Sequence, residues 1–298
     1  MNNGKICVPV CAETADEMIK NIKQAEEFAD VIEVRFDCLR KEELEPLLLA
    51  RTYPGPANII VESTKIPIIS TFRPKEQGGC RDLSYSKREA FWTSGHETAY
   101  CDIEEDLVET TDPPWLWGER ICSYHDFRGV PPDLEDIVGR LFDTDVDKVK
   151  IAILANDVTD SIPLWKLLKQ GRPYGELSPR RMIPIAMGEA GKWTRILGLA
   201  HGAFLTYAAL DAGDETAPGQ ITAKDMIEIY RVKELDEETK VYGIIGDPVS
   251  GSLSPAMLNP AFAESNINAV YLPLLVKDLD AFIRRMVRAE TREIELNF

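Results

Sequence analysis

Residues 147–170 read DKVKIAILANDVTDSIPLWKLLKQ, and this stretch decides the fold. It begins with a short apolar run rich in β-branched side chains, which predicts a strand over residues 149–154. Leu164, Leu167 and Leu168 then recur at the spacing of one helix face. A strand followed directly by a helix is the repeating unit of α/β proteins with parallel sheets.

The same unit recurs along most of the chain. A helix beginning after Thr14, with Glu17 three residues later, carries a capping-box pattern. Eight units in roughly 230 residues predict a (β/α)8 barrel, whose usual length is ~250 residues. The alternative is an open doubly wound sheet, but the sequence has no G-x-G, so the dinucleotide fingerprint of that fold is missing. The predicted strands are 5–10, 31–36, 66–72, 99–103, 120–124, 149–154, 183–187 and 198–204.

Charge and cysteine content narrow the function classes. The chain has 34 Lys and Arg against 50 Asp and Glu, a net charge of −16. This excess argues against nucleic acid and against an anionic membrane as partner, because each requires a basic face. Six cysteines without a C-x-x-C pair, and no apolar leader, predict reduced thiols and a cytoplasmic protein. Three histidines argue against a His-rich metal site.

The barrel occupies residues 1–232 in this interpretation. Residues 233–240, KELDEETK, carry six charges in eight positions and predict a linker. Residues 241–298 then predict a β-α-β-α segment, about half of an α/β domain. So short a segment buries little core alone, so we expect it to pack on something.

Polar side chains stand at the carboxyl ends of the predicted strands, where barrel enzymes carry their reactive groups. Lys150 lies within an apolar strand, and two interpretations remain open for it. It pairs with Glu33 or Asp157, or it is a desolvated amine that attacks a carbonyl. His125, one strand earlier, is either a hydrogen-bonded structural residue or the proton-transfer partner of Lys150.

Three arginines stand in comparable positions. Arg35 shares a face of the second strand with Glu33, Arg73 ends the third strand, and Arg195 follows the seventh. Each could be an ordinary surface charge, but together they suit a carboxylate and hydroxyl groups. Residues 216–220, TAPGQ, form a turn-rich loop.

Six short strings, in this order and spacing, resemble those of type I 3-dehydroquinate dehydratase over residues 5–232. That resemblance implies a (β/α)8 barrel without metal or organic cofactor. It implies the removal of water from 3-dehydroquinate, giving 3-dehydroshikimate, in the shikimate pathway to aromatic amino acids. The strings are VIEVRFD, TFRPKEQGG, ICSYHDF, DKVKIAI, MGEAGKWTR and TAPGQ.

The resemblance also assigns roles residue by residue. It places the Schiff-base lysine at Lys150 and the general acid and base at His125. Gln77 departs from the family, which has a glutamate before Gly-Gly; Glu76 is shifted by one place, and we expect weaker catalysis. The substrate contacts fall at Glu33, Arg35, Arg73, Arg195, Gln220 and Thr216, the last at a usual serine position.

Residues 246–262, GDPVSGSLSPAMLNPAF, resemble the opening of shikimate dehydrogenase. That resemblance implies that Ser252 and Ser254 bind a substrate carboxylate. A purely structural interpretation also stands, in which Ser254 caps a helix with Pro255 at its first position. Gly251 and Leu258 replace residues that are commonly His. The NADP-binding domain lies further along in that family, so the chain resembles a dehydratase–dehydrogenase fusion cut short, and NADP enters only if a downstream domain exists.

Three functions therefore remain in view. The first is a Schiff-base lyase acting on 3-dehydroquinate, favoured over a class I aldolase by the full set of strings. The second is a bifunctional dehydratase and NADP-dependent shikimate dehydrogenase. The third is a weakly active or non-catalytic remnant. The sequence leaves a homodimer open, and it predicts that a chain ending near Lys233 keeps its dehydratase activity.

Overall fold

The computed structural model describes residues 2–49, 56–94, 97–108, 118–170 and 181–298. Eight strands form one sheet in the order β7-β6-β5-β4-β3-β2-β1-β8. Together with the helices that alternate with them, they confirm the predicted (β/α)8 fold class. The strands are β1 (Lys5–Val10), β2 (Val31–Arg35), β3 (Ile68–Thr71), β4 (Tyr100–Glu104), β5 (Glu119–Asp126), β6 (Lys148–Leu154), β7 (Met182–Met187) and β8 (Leu205–Tyr207).

The first strands of this sheet pair in parallel. In one row of the register Arg35 lies beside Thr71, and Thr71 lies beside Asp102. Every residue of β2, β3 and β4 is buried. Burial on both faces is typical of parallel sheets covered by helices, so a polar side chain on these strands must find its partners inside the fold.

The helices follow the predicted pattern. The hydroxyl oxygen of Thr14 accepts a hydrogen bond from the Glu17 backbone N–H at 3.2 Å, which confirms the predicted start of α1. The helices up to the end of the sheet are α1 (Ala15–Ala25), α2 (Lys41–Leu49), α3 (Ala57–Val61), α4 (Tyr85–Trp92), α5 (Glu105–Val108), α6 (Leu134–Asp143), α7 (Ile162–Gln170), α8 (Lys192–Leu197) and α9 (Ala223–Glu228). None of the helices in the described part of the chain is long and apolar enough to cross a membrane.

The eighth strand was predicted in the wrong place. Residues 198–204 lead out of α8 through turns, and β8 begins only at Leu205. The N–H of Ala203 bonds back to the carbonyl of Gly198 at 2.9 Å, and Gly202 has a φ of 97°. The apolar run continues without a break from this turn into the strand, so hydrophobicity alone does not mark the boundary.

The C-terminal segment forms the predicted β-α-β-α unit: β9 (Lys240–Gly246), α10 (Ser254–Glu264), β10 (Ala269–Leu275) and α11 (Leu279–Phe282). β9 and β10 pair in parallel as a two-stranded sheet, and β10 packs against α8. In the charged stretch before it, Leu235 is only 2% exposed, and its carbonyl accepts from the Asn2 side chain at 2.9 Å.

By internal contacts the chain divides into two compact units. The N-terminal unit consists of Ile6–His125 and Val138–Lys150. The C-terminal unit consists of Met1–Lys5, Asp126–Ile137 and Ile151–Phe298, so it contains both the end of the barrel sequence and the β-α-β-α segment.

One cysteine pair differs from the predicted reduced state. Cys11 and Cys38 form a disulfide with their Cα atoms 5.5 Å apart. Cys11 directly follows β1 and Cys38 lies just beyond β2. Because β1 and β2 are paired in parallel, their ends meet although 27 residues separate the two cysteines. Sequence spacing does not reveal this proximity.

Candidate active site

Lys150 lies at the centre of a buried ionic cluster in the N-terminal unit. Its side chain is 4% exposed. Its Nζ lies 2.8 Å from Oδ2 of Asp102 and 3.4 Å from Oε1 of Glu33. The Thr71 hydroxyl donates to the same oxygen of Glu33 at 2.8 Å. Two carboxylates therefore hold the ammonium, which includes the Glu33 pairing expected from the sequence.

Arg73 connects this cluster to His125. One guanidinium nitrogen, Nη2, lies 2.6 Å from Oδ2 of Asp102 and donates to the Ser123 hydroxyl at 3.1 Å. The other, Nη1, lies 3.0 Å from Nε2 of His125. A guanidinium can only donate, so Nε2 accepts and carries a lone pair. This contact selects the neutral imidazole.

Electrostatics favour the same state of the ring. Burial lowers the pKa of His125 well below its usual value, and the positive charges of Arg73 and Lys150 lower it further. Burial by itself would raise the pKa of Asp102, but the charges of Arg73 and Lys150 outweigh it and hold that pKa below its usual value. At neutral pH the cluster thus contains a neutral imidazole beside an ionised carboxylate.

Glu104 is a further buried acid of this cluster. Its Oε1 lies 3.7 Å from Nε of Arg73, and its Oε2 lies 3.3 Å from Nη1 of Arg88. Burial raises the pKa of Glu104 to about 7 despite these cations. Glu104 therefore changes its charge near neutral pH.

Arg35 is held internally. Its Nε and Nη2 donate to the two oxygens of Asp37 at 2.9 and 2.8 Å, a bidentate pair, and Nη2 also reaches the Gly78 carbonyl at 3.1 Å. This last contact ties the end of β2 to the loop after β3. In that loop the Oε1 atom of Gln77 is buried and accepts no hydrogen bond from the described residues.

Asp102, Glu104 and Ser123 belong to this cluster but were not predicted from the sequence. Asp102 and Glu104 alternate with apolar residues along β4 as Glu33 and Arg35 do along β2. The alternation that singled out the second strand was therefore also a usable signal in the fourth.

The C-terminal unit holds Arg195 on α8. Its side chain is fully buried, and its nearest acceptors are the carbonyls of Tyr207 at 3.5 Å and Pro218 at 3.4 Å. Its Nε has no hydrogen-bond partner among the described residues. Burial lowers the pKa of Arg195 to about 10. This cation therefore has donors available to an anion.

The loop of residues 216–220 lies against the same arginine. The N–H of Thr216 donates to the Gln220 side chain at 2.8 Å, and the Gln220 amide donates to the Thr216 hydroxyl at 3.2 Å. The carbonyl of Pro218 accepts the N–H of Gly188 at 3.0 Å. These bonds fix the loop and bring Thr216 and Gln220 together, as the motif suggested.

Ser252 and Ser254 lie close together, but Ser254 does not cap α10 as one interpretation of the sequence predicted. Leu253 occupies the cap position of α10, and the Ser254 side chain does not cap the helix. Instead the Ser252 hydroxyl accepts the N–H of Ser254 at 3.2 Å. Ser252 and Gln220 both line a cavity of about 310 Å³.

Two family models match the chain. The model described as type I 3-dehydroquinase matches residues 6–237, and the model of the shikimate dehydrogenase substrate binding domain matches residues 244–294. Both resemblances drawn from the motifs are thereby confirmed.

Individual relatives agree. The chain is 33% identical over 298 residues to the bifunctional 3-dehydroquinate dehydratase/shikimate dehydrogenase, chloroplastic, of Arabidopsis thaliana, covering 95% of this chain and 46% of that protein. The chain thus spans about half the length of that relative. It is 32% identical to the 3-dehydroquinate dehydratase of Methanococcus maripaludis over 77% of this chain and the whole of that one. The crystal structure of the Geobacillus kaustophilus 3-dehydroquinate dehydratase matches in fold with a TM-score of 0.63 at 23% identity, covering 78% and 91% of the two chains.

Proposed function

Because the chain belongs to the type I 3-dehydroquinase family over residues 6–237, we propose that it dehydrates 3-dehydroquinate to 3-dehydroshikimate through a Schiff base on Lys150. One observation carries the assignment of the lysine. The buried amine of Lys150 pairs with the carboxylates of Glu33 and Asp102. Arg73 pairs with the same Asp102, and the charge of Lys150 acts on His125. A buried lysine can attack a carbonyl once a neighbouring base takes its proton, and the neutral His125 of the same cluster is such a base.

The first step is the attack of Lys150 Nζ on the substrate ketone. The amine must give up a proton before it attacks, and the neutral His125 is a base able to accept one. The protonated His125 then returns its proton to the carbinolamine hydroxyl, which leaves as water, so that a C=N⁺ iminium forms and the imidazole is neutral again. Asp102, which stays ionised beside Arg73, supplies a fixed negative charge close to the developing cation.

The second step is elimination. The iminium withdraws electrons and acidifies the neighbouring C–H, and Nε2 of His125 takes that proton. The electron pair returns through the enamine and expels the hydroxyl, which leaves as water with the proton from His125. Hydrolysis of the conjugated iminium then releases the product and restores the amine. Arg73 orients the imidazole, because its Nη1 bonds to Nε2 until substrate arrives.

Arg195 is proposed to bind the substrate carboxylate. It is a buried cation whose Nε has no hydrogen-bond partner in the described part of the chain, and its hydrogen bonds to the carbonyls of Tyr207 and Pro218 are long. An unpaired buried charge is costly, so a carboxylate that satisfies it gains affinity. Thr216 and Gln220 carry hydroxyl and amide groups suited to the substrate hydroxyls. Glu33 acts by holding Lys150 in place. Arg35 acts by holding the loop at Gly78.

The test is borohydride reduction during turnover. The chain is incubated with 3-dehydroquinate while enone absorbance is followed, and a second sample receives borohydride and is mapped by mass spectrometry. We expect turnover and an adduct on Lys150. Lys150→Ala should abolish both. Lys148→Ala is the matched control, because Lys148 begins the same strand and pairs with Glu119 at 2.8 Å. Turnover without an adduct, or an adduct on another lysine, would refute the assignment.

A second binding role is proposed for the C-terminal segment. Ser252 lines the cavity described above, and the match to the shikimate dehydrogenase substrate binding domain supports a carboxylate ligand there. The ligand would be shikimate or 3-dehydroshikimate. Calorimetry with shikimate should show binding that Ser252→Ala weakens. Ser265→Ala, at the opposite end of α10, serves as the control, and equal affinity in all three proteins would refute the role.

A further inference from the structure

Three cysteine thiols meet at the carboxyl ends of three neighbouring parallel strands. Cys11 directly follows β1, Cys38 lies in the short 3-10 helix after β2, and Cys80 lies in the loop after β3. All three Sγ atoms lie within 4.8 Å of one another. These thiols have no part in the dehydration proposed above.

We propose that Cys11, Cys38 and Cys80, when reduced, bind one Zn²⁺ ion. Thiolates are favoured ligands of zinc, and a zinc site with three protein ligands completes its tetrahedron with water. Cys11 and Cys80 are exposed while Cys38 is buried. Water can therefore reach the cluster at Cys11 and Cys80.

A disulfide accounts for only two of the three sulfurs. The pair Cys11–Cys38 is joined in this structure, which is the oxidised state of two of the three thiols. Cys80 Sγ lies 3.2 Å from Cys38 Sγ and 4.0 Å from Cys11 Sγ. A thiol positioned to attack Cys38 would lie on the extension of the S–S bond. Its sulfur would then be about 2 Å farther from Cys11 Sγ than from Cys38 Sγ. Cys80 instead lies to the side of that bond, so that the three sulfurs form a triangle.

The backbone holds the thiols in this arrangement through bonds that do not involve sulfur. Oδ2 of Asp37 accepts the N–H of Cys80 at 2.9 Å, and the Arg81 side chain donates to the Asp37 carbonyl at 2.7 Å. Gly79 allows the close turn before Cys80, because a Cβ there would lie 1.9 Å from the Arg73 carbonyl oxygen. These bonds hold Cys80 beside Cys11 and Cys38 without using its sulfur.

Charged side chains also lie beside the cysteines. Three thiolates and Zn²⁺ would leave one net negative charge. The Arg81 guanidinium donates to the carbonyls of Asp37 and Cys38, and that of Arg35 donates to the Gly78 carbonyl, while Asp37 places a carboxylate at the Cys80 N–H.

The experiment begins with anaerobic reduction of the full chain by a phosphine. The phosphine takes oxygen from water and becomes the phosphine oxide, while the disulfide becomes two thiols. The reduced chain is loaded with Zn²⁺ and desalted, and zinc is measured by elemental analysis. We expect one zinc per chain. Loading with Co²⁺ instead should give the near-ultraviolet sulfur-to-cobalt charge-transfer band of a three-thiolate site.

Matched variants distinguish this site from other cysteines. Cys80→Ala, at an exposed position, should keep the fold, checked by circular dichroism, and weaken zinc binding at least about tenfold. Cys101→Ala removes a free buried thiol outside the cluster and should retain zinc. A reduced chain that retains no zinc, or Cys80→Ala that retains as much as the unmodified chain, would overturn the proposal. The measurement needs no turnover, so its outcome is independent of the dehydratase assignment.

Discussion

Asp102 balances the charge of the buried cluster. A single oxygen, Oδ2, receives both Lys150 at 2.8 Å and Arg73 at 2.6 Å, while Oδ1 has no hydrogen-bond partner among the described residues. Two cations converge on one carboxylate away from water. In such surroundings the attraction to the acid and the repulsion between the cations are both little screened.

Asp102→Asn removes that charge with little change in shape. It leaves Lys150 and Arg73 facing each other with the longer contacts to Glu33 at 3.4 Å and to Glu104 at 3.7 Å in place of the shared carboxylate. We expect a loss of about 3–5 kcal/mol in the free energy of unfolding, measured in urea, and about a hundredfold loss of kcat/KM from a misplaced amine. Asp145→Asn is the control, because Asp145 is fully exposed in its pair with Arg120 and should change neither quantity. Equal stability of Asp102→Asn and the unmodified chain would contradict this electrostatic role.

His125 gives a prediction for pH. Its pKa lies well below 6.5 because of burial and the charges of Arg73 and Lys150. The neutral ring that acts as base therefore persists below pH 6.5, and the loss of kcat/KM attributable to His125 should occur only at more acid pH. Between pH 6.5 and the lower folded pKa the unfolded chain binds a proton that the folded chain does not, so stability falls as pH falls. Nitrogen-15 NMR of the ring reports its protonation directly. A folded-state pKa for His125 at or above 6.5 would contradict both expectations.

At the scale of single residues, sequence identified several polar groups and one pairing, that of Lys150 with Glu33, but not the other contacts. Lys150 and Glu33 could be named because charged residues inside apolar strands are conspicuous. The contact between Arg73 and His125 could not be predicted, because the two residues are far apart in sequence and meet only in the folded chain. The causes of the low pKa of His125 were not predicted either, because burial, the largest of them, and then the charges of Arg73 and Lys150 depend on the packed structure.

At the scale of elements, the loop of residues 216–220 depends on one glycine. Gly219 has a φ of 74°, and a Cβ there would lie 2.2 Å from the carbonyl oxygen of Gly188. Side chains both disfavour that backbone conformation and cannot fit in that space. The loop carries Thr216 and Gln220 and contacts Arg195, so its position matters for substrate binding.

Gly219→Ala should displace this loop. We expect KM for 3-dehydroquinate to rise about tenfold, equivalent to ~1.4 kcal/mol of binding, with a smaller effect on kcat. Gly213→Ala separates steric clash from backbone strain, because Gly213 also has a positive φ, 98°, but open space around it. It should cost stability without raising KM. Steady-state kinetics of the two variants side by side test this, and similar KM values would show that the contact with Gly188 is unimportant.

Sequence predicted seven barrel strands to within a few residues, because each is an apolar run bounded by polar or turn residues. The eighth was misplaced where no such boundary exists, between Gly198 and Tyr207. The cap of α10 was likewise predicted wrongly, at Ser254, whereas Leu253 occupies that position, because the first residue of a helix depends on backbone angles that composition does not encode.

At the scale of the whole molecule, the C-terminal segment is anchored within its unit by scattered contacts. Lys166 pairs with Glu293 at 2.6 Å, and the N–H of Lys277 donates to Asp157 at 2.7 Å. The ion pair is partly exposed and contributes little. The stretch just before β9 contributes more, since Leu235 is buried and the Asn2 side chain bonds to its carbonyl.

Two shortened chains, 1–233 and 1–237, isolate this contribution. Both lose the packing of β10 on α8, so that common loss cancels in their comparison. Only 1–237 retains Leu235, whose burial is worth ~1.5–3 kcal/mol, and the pair between Lys169 and Glu237. We therefore expect urea unfolding to show 1–237 more stable than 1–233 by about 2 kcal/mol.

Both shortened chains should turn over 3-dehydroquinate where folded, because Lys150, His125 and Arg195 precede both ends. Equal stability would mean that residues 234–237 do not support the barrel, and inactivity of folded 1–237 would mean that the segment beyond it shapes the site.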